Sequence, residues 1–383
     1  MRSPSVFSLF WLFGLLNNIL YVVILSAAVD LVGATIPKST VLLADILPSL
    51  IIKVSSPFFI HKLSYNKRIY LIISLSFSGV FFVTFPFLFW RILGIILASS
   101  SSGLGEVTFL QLTHFYGKNS LQGWSSGTGG AGIFGSFAYL FFTTILRFEV
   151  KTALLLFSFL PFGFLFYFTL PGVLGSQSAQ NHSGENYEET YEIDLAKFSH
   201  FQKTLKRIKA LVFPYMVPLT SVYFFEYLIN QAVSPTLLFD IETSPFSKFR
   251  DIYVTYGTFY QLGVFVSRSS SSFVRVHNLY IPSILQALNL VILLIQSIYS
   301  FIPNVYIVIA IIFYEGLLGG ASYVNTFMNV TESLEGEERE FALGAVTVSD
   351  SFGILIAALI GLWLEPQLCA FQVDHGKDWC RLE

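Results

Sequence analysis

Stretches of about twenty mostly apolar residues follow one another along nearly the whole chain, separated by short polar or charged breaks. A run of about 20 apolar residues is what an α-helix needs to cross a bilayer, whereas the strands of a membrane barrel alternate over about ten residues. Read between the breaks, the sequence contains eleven candidate helices. They lie at approximately 6–30, 40–60, 69–90, 92–115, 125–146, 152–172, 210–233, 250–267, 278–302, 305–330 and 341–364. Only 12% of the residues are charged and 54% are hydrophobic, too little charge to solvate a surface in water. The fold class expected is all-α integral membrane. The net charge of −2 says nothing about nucleic acid, and no basic tract reads as a phosphate-binding surface.

One long break, residues 173–207, divides the chain. It is rich in Ser, Gln and Asn, has acidic Glu185, Glu188 and Glu189, and ends in basic Lys203, Lys206, Arg207 and Lys209. The organisation expected is a six-helix half over 1–172, a cytosolic linker over 173–207, and a five-helix half over 208–383 with a short lumenal tail. With the N-terminus in the cytosol, thirteen Lys and Arg fall on the cytosolic side, including Lys62, Lys67, Arg68, Arg268 and Arg275 in loops, against eight on the other. That bias sets the N-terminus inside. The first run, with Asn17 and Asn18 in it, exceeds a signal-peptide core and reads as a span despite Ala27-Ala28. The sequons at Asn181 and Asn329 are expected to stay unused.

The halves are weakly alike. A basic loop follows the second span of each, and Gly103-Leu104-Gly105-Glu106 in the fourth span has a counterpart in Glu315-Gly316-Leu317-Leu318-Gly319-Gly320. Parallel repeats of six spans build major facilitator transporters, whose sites lie between the repeats near mid-bilayer. Gly127-x-Gly129-x-x-Gly132 has the letters of a dinucleotide fingerprint, but it sits inside an apolar span where small residues allow close helix packing.

Ionisable residues inside spans carry the functional signal, because each costs at least about 2.5 kcal/mol at a helix centre. At about 1.5 Å per residue, Glu106 and Glu226 lie roughly 22–25 Å into their spans, and Glu315 and Asp350 roughly 15 Å. Lys53 and the shallower Asp45 share the second span. Glu226 and Asn230 share a helical face with Tyr223, and Glu106, Thr113 and His114 share another. These groups are candidates for a proton or ligand pathway. There is no zinc-spaced His/Cys cluster and no nucleophile elbow, so no enzyme chemistry, metal or cofactor is expected.

Several blocks resemble the battenin family and its fungal vacuolar members. They are Phe10-Trp11-Leu12-Phe13-Gly14-Leu15-Leu16-Asn17-Asn18, Leu42-Leu43-Ala44-Asp45-Ile46-Leu47-Pro48, Ser102 to Phe109, Trp124 to Gly132, Glu226-Tyr227-Leu228-Ile229-Asn230-Gln231, Gly263 to Ser270, Tyr314 to Gly320 and Ser349-Asp350. The resemblance implies a major-facilitator-like bundle in a vacuolar or lysosomal membrane. It further implies a transporter or transport regulator acting on lumenal pH and on basic amino acids or glycerophosphodiesters. The pathway residues would be Glu226, Asn230, Glu106, Glu315, Asp350, Asp45, Lys53, Asn18 and Tyr223, with Arg268, Gly127, Gly129 and Gly132 as gating or packing positions. Partners expected are a small polar solute or protons and the lipid bilayer. The rival is a non-transporting scaffold that regulates a proton pump or vesicle trafficking. Two features depart from pattern. The Lys62–Arg68 loop lacks the Gly and Asp of the usual facilitator loop, and Cys380-Arg381-Leu382-Glu383 fits poorly the prenylation box that some relatives carry there.

An odd number of spans puts the C-terminus in the lumen, where Cys369 and Cys380 are free to pair. Protease shaving of intact vacuoles should therefore spare a C-terminal tag, and loss of the tag would refute eleven spans.

Overall fold

The computed structural model describes residues 5–26, 38–171, 190–241, 244–246, 249–270, 273–377 and 379. Among these there is no β-strand. The helices are α1 (Val6–Ser26), α2 (Lys38–Phe59), α3 (Tyr65–Val83), α4 (Leu88–Tyr116), α5 (Lys118–Leu140), α6 (Val150–Phe157), α7 (Thr190–Leu211), α8 (Val217–Leu228), α9 (Phe249–Ser269), α10 (Tyr280–Tyr299), α11 (Val305–Ser333), α12 (Gly336–Ala345) and α13 (Val348–Asp374). Each expected span has its counterpart in this order.

Where boundaries differ, proline and local polarity explain why. The third span ends at Val83 and the fourth begins at Leu88 because Pro86 lies between them, and proline bars the residue before it from the helical region. α6 gives way at Pro161 to the 3₁₀ run Leu160–Thr169. The seventh span extends in both directions. α7 takes up the end of the 173–207 segment and passes through the π-turn Val212–Met216 into α8, which continues as the π-turn Ile229–Val233. The last span is two helices, so Asp350 stands in the first turn of α13 and not deep within one continuous helix.

Among the described residues, seven segments are long and apolar enough to cross a membrane: Tyr65–Val83, Leu88–Tyr116, Val150–Thr169, Phe201–Thr236, Tyr280–Tyr299, Val305–Ser333 and Gly336–Asp374. The helices outside that set include α2, α5 and α9, which carry Lys53, a glycine-serine stripe and Arg268. Their polarity faces protein, not lipid.

Packing repeats between the halves. α1 lies along α5 as α8 lies along α13, and α2 lies along α4 as α9 lies along α11. Two further pairs cross between halves, α2 with α13 and α5 with α9. Exchanging the halves converts each crossing pair into the other. Glycine makes the tightest approaches. A Cβ at Gly14 or Gly127 would strike the Trp124 or Trp11 carbonyl across the α1–α5 seam, and Gly263 and Gly316 do the same for α9 and α11. Gly129 and Gly132 face the other way, making room for the Arg268 and Gln261 side chains of α9. Small residues thus let backbones touch where lipid provides no hydrophobic drive between helices, and the dinucleotide pattern is a packing pattern.

The hydrophobic core is lopsided. At the end holding the start of α1, one cluster takes Phe10, Phe13, Phe109 and Trp124 from the first half and Tyr323, Phe327 and Leu343 from the second. At the opposite end each half has a cluster of its own, around Ile19, Val80 and Ile95 and around Ile229, Tyr256 and Ile312. The end with the shared cluster is also pinned by polar contacts. Glu332 accepts from Lys118 at 2.8 Å and from Arg275 at 2.7 Å, Tyr65 donates to Glu340 at 2.6 Å, and Arg207 pairs with Glu338 at 3.0 Å.

Two basic residues expected in loops are interior. Arg68 is buried in the first turn of α3, donating to the Ile60 and Leu63 carbonyls and to Gln111. Arg268 is buried in the last turn of α9. Hydropathy places charges outside spans by default, so it misses a guanidinium whose donors are met by carbonyls and hydroxyls. Asn329 is committed to His277 and Arg275 at the end of α11. Cys369 is in a disulfide; Cys380, Asn181 and the C-terminal four residues lie outside the described set.

A side chain at Gly127 has to push α1 away from α5. Gly127→Val should lower the melting midpoint in detergent by the equivalent of about 3 kcal/mol or more, a large overpacking penalty. Gly257→Ala, which meets nothing, should leave the midpoint unchanged or raise it by up to about 1 kcal/mol. Equal behaviour of the two would count against backbone contact as the seam's basis.

Candidate functional site

The ionisable residues of the spans converge. Lys53 on α2 reaches across the interface between halves, placing its ammonium 2.6 Å from Glu106 of α4 and 3.0 Å from Asp350 of α13, with Ser351 Oγ accepting at 2.7 Å. Lys53 is 2% exposed. Pro48 and the Ser-rich face of α2 let this helix lie against α4, where the Ser99 hydroxyl donates to the Asp45 carbonyl and Gly103 abuts Ser49. The backbone amide of Ser351 donates to Asp350 at 2.6 Å, which fixes the carboxylate at the start of α13. A carboxylate in the first turn also suits the positive end of the helix dipole.

From Glu106 the network continues through tyrosine. Tyr323 of α11 donates to Glu106 at 2.8 Å and accepts from Trp124 Nε1 of α5 at 3.2 Å. Its ring lies under the Arg268 guanidinium, 4.1 Å away. Arg268 reaches across the interface in the opposite sense to Lys53, from α9 of the second half to Thr128 of α5 at 2.7 Å, and also donates to Tyr223 of α8 at 2.8 Å. Gly129, one residue on from Thr128, leaves the space its stem occupies. Thr128, Tyr223 and the Tyr323 ring, which Arg268 contacts, are neutral groups, and its Nε is buried without a partner.

A second cluster lies wholly within the second half. Tyr260 of α9 donates to Glu226 of α8, and Asn230 donates to Glu315 of α11 at 2.9 Å and to the Glu226 carbonyl at 3.2 Å. Asn230 sits in the π-turn Ile229–Val233, a wide turn of the kind found at functional sites. Glu315 is fully buried, and one carboxylate oxygen of Glu226 and one of Glu315 have no partner. Gly319 is required here, since a side chain would collide with the Glu226 carboxylate.

Of the residues expected, Lys53, Glu106 and Asp350 form one ion cluster, Glu226, Asn230 and Glu315 another, and Tyr223 with Arg268 stands between the halves. Arg268, expected as a gating or packing position, is buried between the halves. Asp45 and Asn18 lie apart from both clusters. Asn18 accepts from Asn17 at 3.2 Å, while the Asp45 carboxyl faces a separate small cavity. His114 makes an edge contact with Phe115, and Thr113 bonds to its own helix at Leu110, so neither extends Glu106 into a relay. Sequence reasoning missed Tyr260, Tyr323, Thr128 and Ser351. Helical spacing offered one clue, because Tyr323 falls one turn beyond Gly319 and Tyr260 one turn before Val264, on the packing faces.

No His/Cys/Asp/Glu group suited to a metal occurs among the described residues. The arrangement can exchange protons among tyrosines and carboxylates, and it can hold a polar solute between one guanidinium and several acids.

Comparisons with known proteins agree with this architecture. The family model for CLN3 protein matches residues 8–194 and 172–371. Protein BTN1 of Yarrowia lipolytica is 56% identical over 387 residues, covering 99% of this chain and 98% of the relative. Protein BTN1 of Saccharomyces cerevisiae is 53% identical over 407 residues, covering 100% and 99%. Among solved structures, the proton:xylose symporter XylE of the major facilitator superfamily, bound to 6-bromo-6-deoxy-D-glucose, superposes with TM-score 0.65 at 11% identity, over 98% of this chain and 92% of that one. The E. coli fucose:proton symporter FucP does so with TM-score 0.54 at 13% identity, over 98% and 92%. The likeness to the two symporters is one of fold. With family model and full-length relatives in agreement, the chain belongs to the CLN3 protein family, the battenin family, built on a major-facilitator-like helical bundle.

Proposed function

We propose that this chain is a proton-linked carrier for a small polar solute, working in a vacuolar or lysosome-like membrane with its N-terminus in the cytosol. The observation that carries the reading is the buried Lys53–Glu106–Asp350 cluster, which ties α2 and α4 of one half to α13 of the other. One ammonium faces two acids there, so the cluster has a place for one more positive charge, a proton or a cationic group. Arg268 next door donates to the hydroxyls of Thr128 and Tyr223 and pairs with no carboxylate among the described residues, which suits a solute with an anionic group. Such a pairing fits both solute classes implied by the family, basic amino acids and glycerophosphodiesters. Ion pairs that bridge two halves are also what a solute or proton must loosen for the halves to rock about a central site.

The test is flux by purified protein in liposomes that enclose a pH dye, with arginine or glycerophosphocholine imposed as a gradient. Solute-dependent proton movement is expected, and Glu226→Gln should fold and traffic normally while flux or its pH profile falls. A chain that moves neither solute nor protons would favour the rival reading, a scaffold for a proton pump or for trafficking. Degradation of Glu226→Gln would make that residue structural, and unchanged flux would make it a bystander.

The shared hydrophobic cluster and the Lys118–Glu332–Arg275 and Tyr65–Glu340 contacts close the end that this topology places in the cytosol. The two Glu332 pairs are exposed and each is worth about 1 kcal/mol or less, little enough to break in each cycle. Cysteines at positions 118 and 332, in a chain whose native cysteines are serine, should block flux when joined by a short reducible cross-linker. Reductant should restore it. Full flux in fully cross-linked protein would show that this end stays shut throughout the cycle.

A further inference from the structure

Asp45 belongs to neither ion cluster, yet it is only 9% exposed. Among the described residues no side chain or amide donates to its carboxylate, and its carbonyl already accepts from the Ser99 hydroxyl. Asp45 lines a cavity of about 10 Å³, room for one water-sized guest. The other polar walls are Asn17 of α1, Ser76 of α3, and Ser101 and Ser102 of α4. All four helices belong to the first half.

The amide donor and one of the three hydroxyl donors around this cavity are spent elsewhere. The Asn17 amide nitrogen donates to Asn18 and to the Ser102 carbonyl, each at 3.2 Å. The Ser101 hydroxyl donates to the Ile72 carbonyl at 2.8 Å. What remains for the cavity is oxygen, from the Asp45 carboxyl, the Asn17 amide and the Ser76 and Ser102 hydroxyls, with no free nitrogen or sulfur ligand. An all-oxygen lining selects a hard cation. One carboxylate balances one positive charge, whereas calcium sites typically draw 6–8 oxygens, several from carboxylates. A cavity for one small guest also excludes an organic ammonium.

We propose that Asp45, Asn17, Ser76, Ser101 and Ser102 form a sodium site inside the first half, separate from the solute-binding clusters. A bound Na⁺ would satisfy the otherwise solitary Asp45 carboxylate and bind α1 to α4 through one ion.

The direct probe is ²²Na⁺ binding to the purified full-length chain, at constant ionic strength with choline as the replacement. Saturable binding of one Na⁺ per chain is expected. Asp45→Asn should abolish it, Ser76→Ala should weaken it roughly tenfold, and Glu149→Gln, an exposed acid, should leave it intact. If Asp45→Asn does not fold, Ser76→Ala carries the decision. Absence of saturable ²²Na⁺ binding by folded protein, or binding unaltered in the Asp45 and Ser76 variants, overturns the proposal. The assay needs no transport, so sodium binding without flux would refute only the carrier reading, and flux without sodium binding would refute only this site.

Discussion

A lysine ammonium held between two carboxylates, out of contact with water, is the interaction on which the rest of this bundle depends. Lys53, Glu106 and Asp350 come from three helices and both halves. Leaving one member of such a cluster without its partners costs about 3–5 kcal/mol, whereas exchanging the whole set for apolar residues often costs nothing. Stability therefore does not explain the cluster; a requirement for charge at the interface does. Arg268 repeats the device from the other side, reaching from α9 to α5 where Lys53 reaches from α2 to α13. Each half extends one cation into the other through symmetry-related helices.

Around these two cations the packing is stiff within halves and uneven between them. Glycines bring α1 onto α5 and α9 onto α11 until main chain meets main chain. Such seams have no side-chain slack, so each half moves as a unit. Apolar contact between the halves is concentrated at one end, and the ion network lies beneath it.

The number and order of spans were legible in the sequence because apolar run length is a property of the chain alone. So were Lys53, Glu106, Glu226, Glu315 and Asp350, since an ionisable group in an apolar run stands out whatever it touches. Their sorting into two clusters was not legible, because it depends on which helices adjoin. Arg268 was misread for a related reason. Its place near the last turn of α9 looks like a loop in sequence, and only the neutral oxygens of Thr128 and Tyr223 reveal it as interior. Tyr260 and Tyr323 stand out among 19 tyrosines only by their helical spacing from the packing faces. A phenol's role depends on the carboxylate opposite it. Pro86 and Pro161 moved helix boundaries that a hydropathy window averages over.

The 297 residues between Lys53 and Asp350 have a consequence for biosynthesis. The ribosome delivers Lys53 and then Glu106 to the membrane while most of the chain is still unmade. At that stage the cluster consists of one cation and one anion, a neutral pair. Asp350 arrives only with α13 and unbalances it. The second acid of this cluster is therefore absent while the first half is being made, and its negative charge is added only when α13 joins.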